Sequence, residues 1–259
     1  MTRIFLDLEA GPPPMTEAEK LEALPDSKRP KEPKEPVLKQ VAGNIKKPTT
    51  IAEHEAKHRK AYGIARNDWL GECLEHDAAV TAAAEQHWRD LAKNPEKAII
   101  NTIGWSHEGE ARQISGDDVE ALVLQFANAL PDYAHAIDWV TANGNHYDLH
   151  LLHVSVCRLL HKYVREGIHD RAQMMRRLRD AIPWTLHRGG TSRSVDLMGR
   201  GMPKRGRSFG AICEAYLGEG KQGSEDPVGD YLDPERRHLL LERNCRDVDL
   251  LVMLDEVLR

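Results

Sequence analysis

Hydrophobic and polar residues alternate at the beginning of the chain, a pattern that predicts a half-buried β-strand. Every second residue from position 4 to position 8 is a large aliphatic one, so these side chains share one face of the strand. Asp7 and Glu9 share the opposite face with Phe5. Two like charges side by side on an apolar strand are unfavourable unless a positive charge lies between them, and a divalent cation with oxygen ligands meets that need. The alternative is a strand whose second face is simply solvated.

Further along the chain, the hydrophobic pattern predicts a series of strands and helices. The predicted strands are 98–105, 112–114, 136–140 and 194–197, and the predicted helices are 118–129, one that starts near 147, and 234–258. Three strands, a helix, a strand, a helix, a strand and a helix follow the order of a ribonuclease H-like sheet. We therefore predict an α/β fold with a mixed five-stranded sheet flanked by helices.

Residues 10–95 interrupt this order, which predicts an insertion after the first strand. Its first part is rich in proline and charge, and it holds too few apolar side chains to repay the entropy of ordering. From Pro48 onward the pattern becomes helical, over 50–62 and again over 67–91. We therefore predict a single domain, 1–259, that carries a partly disordered and partly helical insertion.

Composition and charge narrow the class of protein. A chain of 259 residues, 41% of them hydrophobic and 30% charged, can bury one substantial core. A net charge of −5 argues against coating of duplex nucleic acid through bulk charge but permits a local basic groove. The four cysteines form no C-x-x-C pair, which is typical of reduced thiols. Because no membrane-length apolar run or signal peptide is apparent, we expect a soluble cytoplasmic protein without membrane contact.

The hydrophobic pattern also predicts the direction in which two more acidic side chains point. Asp148 follows a predicted strand end and opens a helix, whose N-terminus favours negative charge. Asp247 lies within the apolar stripe of the last helix, where an unpaired charge is costly and needs a partner. The simpler interpretations are an ordinary helix-start acid for Asp148 and, for Asp247, an ion pair with Arg243 one turn earlier.

Taken together, these acids resemble the motifs of a known family, the DEDD or DnaQ-like 3′–5′ exonucleases. The three corresponding stretches are Asp7-x-Glu9 after an apolar strand start, Asn143-x-x-x-Tyr147-Asp148 in the middle, and Asp247-Val248 in a C-terminal amphipathic helix. Segments 196–198, 208–213 and 218–223 add to the likeness, which is greatest to predicted exonucleases similar to the proofreading domain of family B DNA polymerases. The resemblance covers residues 1–9 and about 98–259.

The resemblance implies a metal-dependent exonuclease that removes nucleotides from the 3′ end of single-stranded or frayed nucleic acid, with DNA favoured over RNA. Its catalytic and metal-binding residues would be Asp7, Glu9, Asp148 and Asp247. Two Mg²⁺ or Mn²⁺ ions would balance these four carboxylates, and together they would activate water and stabilise the charge on the phosphate. Substrate contacts are expected at Asn143, Tyr147 and Arg243.

The chain departs from the family at one position. In the family a Tyr four residues before the last Asp, or a His five residues before it, orients the attacking water, whereas this chain has Arg243 and Glu242 there. A guanidinium binds a phosphate but does not act as a base near neutral pH. A second interpretation therefore stays open: a catalytically weakened relative that binds nucleic acid or, through the insertion, a protein partner.

Residues 200–207 form a basic loop that offers a further contact for the phosphodiester backbone. Lys204, Arg205 and Arg207 would bind phosphates in a salt-dependent manner, although a solvated connector has the same composition. Histidines at 146, 150 and 153 share helix faces, as zinc ligands do, but the glutamate of an H-E-x-x-H site is missing.

Overall fold

A computed structural model of the chain describes residues 2–22, 28–35, 48–131, 137–142, 147–183, 192–198, 208–221 and 226–259. The chain forms two compact units, one made of Met1–Pro13 and Arg89–Arg259 and the other of Pro14–Trp88. Some of the sequence-based predictions lie outside the described residues: Asn143, His146, the basic loop with Lys204, Arg205 and Arg207, and part of the proline-rich segment.

Five strands form one mixed sheet in the first unit. They are β1 (Thr2–Gly11), β2 (Ile99–His107), β3 (Glu110–Ser115), β4 (Ile137–Thr141) and β5 (Arg193–Asp196). Their order across the sheet is β3-β2-β1-β4-β5. The pairs β1–β2 and β2–β3 are antiparallel, and the pairs β1–β4 and β4–β5 are parallel. The first strand of the chain therefore lies at the centre of the sheet, and the predicted α/β class with a mixed five-stranded sheet is confirmed.

The described residues also form helices in both units. In chain order they are α1 (Glu17–Glu22), α2 (Pro48–Leu91), α3 (Val119–Ala129), α4 (Asp148–Glu166), α5 (His169–Ala181), α6 (Phe209–Leu217), α7 (Pro227–Leu232) and α8 (Arg237–Leu258). Helices α3, α4 and α5 share one apolar core with the aliphatic side chains of β1, whereas α6 and α8 share a second core with Phe5. The two cores are distinct because successive side chains of a strand point to opposite faces.

The alternation predicted for the first strand is confirmed. Ile4, Leu6 and Leu8 are buried in the first core, and Phe5 is buried in the second. Burying apolar side chains on both faces fixes the register of the strand, since a shift by one residue would exchange the two faces. Asp7 and Glu9 therefore face the side of the sheet that α8 covers.

The second unit is built around α2. Trp69 donates its indole N–H to the carbonyl of Pro30 at 3.1 Å, and Arg29 pairs with Asp77 at 2.7 Å. The ammonium of Lys20 lies 3.9 Å from the centre of the Trp88 ring. These contacts hold part of the proline-rich segment and α1 against one side of α2.

The secondary structure differs from the sequence-based expectation in several elements, of which α2 and α5 are the longest. The helices predicted at 50–62 and 67–91 are one continuous helix, because an interior glycine such as Gly63 costs a helix only about 1 kcal/mol. Helix α5 was not predicted: its many arginines hide the buried positions Met175 and Leu178. No described helix is both long and apolar enough to cross a lipid bilayer.

Candidate metal centre

Strand β1 presents Asp7 and Glu9 on the same face of the sheet, next to β2. Asp7 is paired with Gly104 and Glu9 with Thr102 across the antiparallel ladder. Both acids are partly buried, so they remain within reach of solvent. The predicted juxtaposition of the two carboxylates on one strand face is therefore present, and α8 covers that face.

Gly104 lets α8 come close to the strands. A Cβ atom at this position would lie 2.1 Å from Oδ1 of Asn244 and 3.0 Å from Cγ2 of Val248, so only glycine fits here. Asn244 is fully buried, and its amide nitrogen donates to the carboxylate of Asp7 at 2.8 Å and to the Asp7 carbonyl at 3.2 Å. The close approach of strand and helix thereby fixes the position of the Asp7 carboxylate.

Asp247 follows Asn244 by one turn of α8 and completes a three-carboxylate group with Asp7 and Glu9. One carboxylate oxygen from each of these residues lies within 4.8 Å of the other two. Asp247 is fully buried, and its Oδ1 atom has no hydrogen-bond partner among the described residues. A buried oxygen without a partner is costly, and a bound cation would satisfy it. The donor set, three carboxylates, is the kind that Mg²⁺ and Mn²⁺ prefer.

Asp148 lies at the first position of α4, close to the three-carboxylate group but not part of it. Its Oδ1 atom accepts a hydrogen bond from the backbone N–H of Leu8 at 3.3 Å. This bond ties the start of α4 to the central strand between Asp7 and Glu9. The helix N-terminus also favours the negative charge of Asp148.

The pKa values of Asp7, Glu9 and Asp148 are all raised above their usual range. Burial raises the pKa of Asp7 well above its usual range, and repulsion by Glu9, Asp247 and Asp148 adds to the effect. Burial also raises the pKa of Glu9, and it raises that of Asp148 to about 7. Raised pKa values are typical of carboxylates that are buried close together with too little positive charge beside them. A bound divalent cation would supply that positive charge.

Two cations lie among these carboxylates. The Lys221 ammonium donates a hydrogen bond to Oδ2 of Asp247, and a third of its side chain (33%) remains exposed. The Nε atom of Arg243 lies 3.6 Å from Oε1 of Glu9 and 3.8 Å from Oδ2 of Asp247. The ion pair between Arg243 and Asp247 considered from the sequence is therefore present, and it lies within the acidic site.

Sequence reasoning assigned no role to Lys221, although its segment contributed to the family resemblance. Helix α6 ends at Gly218, whose φ of 74° is left-handed and turns the chain back along the helix. Gly210 makes room for the returning segment, since a Cβ atom there would lie 3.2 Å from Cβ of Lys221 and 3.3 Å from its backbone nitrogen. The two glycines were visible in the sequence, but the carboxylate that the lysine reaches was not.

Other predicted site residues have different surroundings. Tyr147 donates its hydroxyl proton to the carbonyl of Ala92, and its ring is partly buried against the first core. Glu242 is exposed, as its place off the inward stripe predicts, and His238 is exposed as well. Neither contributes to the three-carboxylate group.

No protein-family model matches the chain, and none of the curated proteins is significantly similar to it in sequence. Its function must therefore be read from the site itself.

Proposed function

We propose that the protein is a metal-dependent 3′–5′ exonuclease that hydrolyses phosphodiester bonds of single-stranded or frayed nucleic acid, with DNA favoured over RNA. The observation that carries the proposal is the three-carboxylate group of Asp7, Glu9 and Asp247, with oxygens within 4.8 Å of one another. The buried Oδ1 of Asp247, unpartnered within the described part of the chain, is directly available to a cation. These features fit Mg²⁺ or Mn²⁺.

The topology supports the proposal. A central first strand, antiparallel to β2 and parallel to β4, is compatible with a ribonuclease H-like fold. The motif acids lie on β1, at the start of α4 and inside α8, which are the elements on which the DEDD resemblance expects them. Four acids far apart in sequence are thus gathered around one end of the central strand.

The residues of the site divide into two chemical roles. A divalent cation bound by Asp7, Glu9 and Asp247 would lower the pKa of a water ligand and polarise a phosphate oxygen. Lys221 and Arg243 carry positive charge beside the same carboxylates and would attract the scissile phosphate. A guanidinium binds phosphate through its N–H donors but does not serve as a base, so Arg243 would bind the phosphate without activating water.

The test is metal-dependent shortening of a 5′-labelled single strand by the purified protein. We expect a ladder that shortens from the 3′ end in Mn²⁺ and stays intact in EDTA. Asp7→Asn and Asp148→Asn should each lower the rate at least about 100-fold, because they remove charge that a cation needs. Asp249→Asn is the matched control, since Asp249 is exposed on the same helix as Asp247 and should leave the rate unchanged. Equal rates in wild type and in both site variants would refute the proposal.

The second candidate is a protein that binds nucleic acid without hydrolysing it. Its supporting observation is Arg243, which pairs with Glu9 and Asp247 at the position where the resembled family has a water-orienting Tyr. An intact labelled strand that is nevertheless retained by the protein in Mn²⁺ would favour this candidate.

A further inference from the structure

Lys221 and Arg243 together place two positive charges among the four acidic side chains. Lys221 donates a hydrogen bond to Asp247, and Arg243 lies within 4 Å of both Glu9 and Asp247. Both side chains are only partly exposed to solvent, Lys221 by 33% and Arg243 by 18%. Both side chains are therefore partly buried beside the carboxylates.

The charge of Lys221 reaches the whole acidic cluster. Its ammonium lowers the pKa of Asp7, Glu9 and Asp148, against the larger effect of burial. Gly210 holds the backbone of Lys221 close to α6, so the ammonium stays near the carboxylates. Lys221 therefore already offsets part of the negative charge that a second divalent cation would neutralise.

The balance of charge then differs from that of a site with four acids alone. Four ionised carboxylates carry four negative charges, and among the described residues Lys221 and Arg243 offset two of them. The remaining two match a single divalent ion. The geometry agrees, because three carboxylates converge within 4.8 Å, while Asp148 uses Oδ1 to accept the N–H of Leu8.

We propose that the site holds one divalent cation and that Lys221 and Arg243 supply the positive charge that a second ion would otherwise bring to the substrate phosphate. This inference rests on the proposed function, and it replaces the two ions expected from the family resemblance. A second divalent ion would have to enter a neutral site next to two fixed cations, and like charges a few ångströms apart repel strongly in a partly buried site. Lys221, at the exposed margin, is the group that bars it.

The test is the number of Mn²⁺ ions bound by the full chain, measured by calorimetry and by equilibrium dialysis without substrate. We expect one ion per wild-type chain at concentrations up to about 1 mM, the upper range of ordinary metal-site affinities. Lys221→Met keeps the length of the side chain and removes its charge, so a second ion should then bind at least about tenfold more tightly than in the wild type. Lys221→Arg should restore binding of one ion.

The matched control is Lys93→Met, which removes the charge of an exposed lysine paired with Asp90 and should leave the count at one. Two ions of similar affinity in the wild type, or a single ion in a folded Lys221→Met protein, would overturn the inference and leave the exonuclease proposal standing. Binding of no Mn²⁺ by the wild type would overturn both. Because the wild-type count is itself decisive, the test does not depend on the variants folding.

Discussion

Replacing Gly104 with alanine should displace Asn244, which positions the Asp7 carboxylate, because Gly104 lies at the contact between β2 and α8. The added Cβ atom would lie 2.1 Å from Oδ1 and 2.9 Å from Cγ of Asn244, so the side chain of Asn244 or the helix has to move by more than 1 Å to reach an ordinary contact of about 3.5 Å. Overpacking of this kind costs about 1–3 kcal/mol. Losing the hydrogen bonds from Asn244 to Asp7 costs about 1–3 kcal/mol more if they break. With both costs added, we therefore expect a loss of about 2–6 kcal/mol in the free energy of unfolding.

Urea unfolding monitored by tryptophan fluorescence measures this loss, and Gly116→Ala is the control. A Cβ atom at Gly116 would meet only Cδ2 of Leu122, at 3.9 Å, so the control should change stability by less than about 1 kcal/mol. Affinity for Mn²⁺ should fall at least about tenfold in Gly104→Ala alone, because Asp7 loses the amide that positions it.

A double-mutant cycle identifies the cause. In an Asn244→Ala background the severe overlap is gone, so Gly104→Ala should cost about 1 kcal/mol or less, from the tight contact with Val248 that remains. The same cost of Gly104→Ala in both backgrounds, or a cost within about 0.5 kcal/mol of the Gly116→Ala control, would refute the steric explanation.

Two further experiments address the electrostatics of the site and its substrate. In EDTA, the protein should lose stability as the pH rises from about 4 to 7, because Asp148 has a pKa of about 7 in the folded protein and of 3.8 in the unfolded chain. Asp148→Asn should flatten this part of the pH profile of urea unfolding. An unchanged profile in the variant would contradict the raised pKa. Exchanging Lys204, Arg205 and Arg207 of the basic loop for glutamine should reduce the salt dependence of single-strand binding in EDTA. The slope of log K against log salt should fall by about 2, since each phosphate contact contributes about 0.7. An unchanged slope would identify the loop as a solvated connector.

The parts of the site that depend on local periodicity were predictable from the sequence. The alternation of β1 separates Phe5 from the aliphatic core, and the stripe of α8 buries Asp247, as expected. Both predictions follow from the periodicity of a single strand or helix, so they do not depend on which elements pack against it.

The parts that depend on tertiary packing were not predictable. Asp255 of α8 is buried because Arg3 from β1 and Arg259 both pair with it, and the partner from β1 does not follow from the helical repeat. Lys221 reaches Asp247 only because the chain turns at Gly218 and returns past Gly210. Likewise, the need for glycine at position 104 arises from a helix more than a hundred residues away in the chain.

The amide of Asn244 and the carboxylate of Asp7 are 237 residues apart in sequence, yet they meet at the centre of the sheet. During synthesis on the ribosome β1 is made long before α8, so Asp7 and Glu9 lack their third carboxylate, and Asp7 lacks the amide that orients it, until α8 has emerged. A nascent chain that lacks α8 is therefore unable to bring Asp247 beside Asp7 and Glu9 or to orient the Asp7 carboxylate.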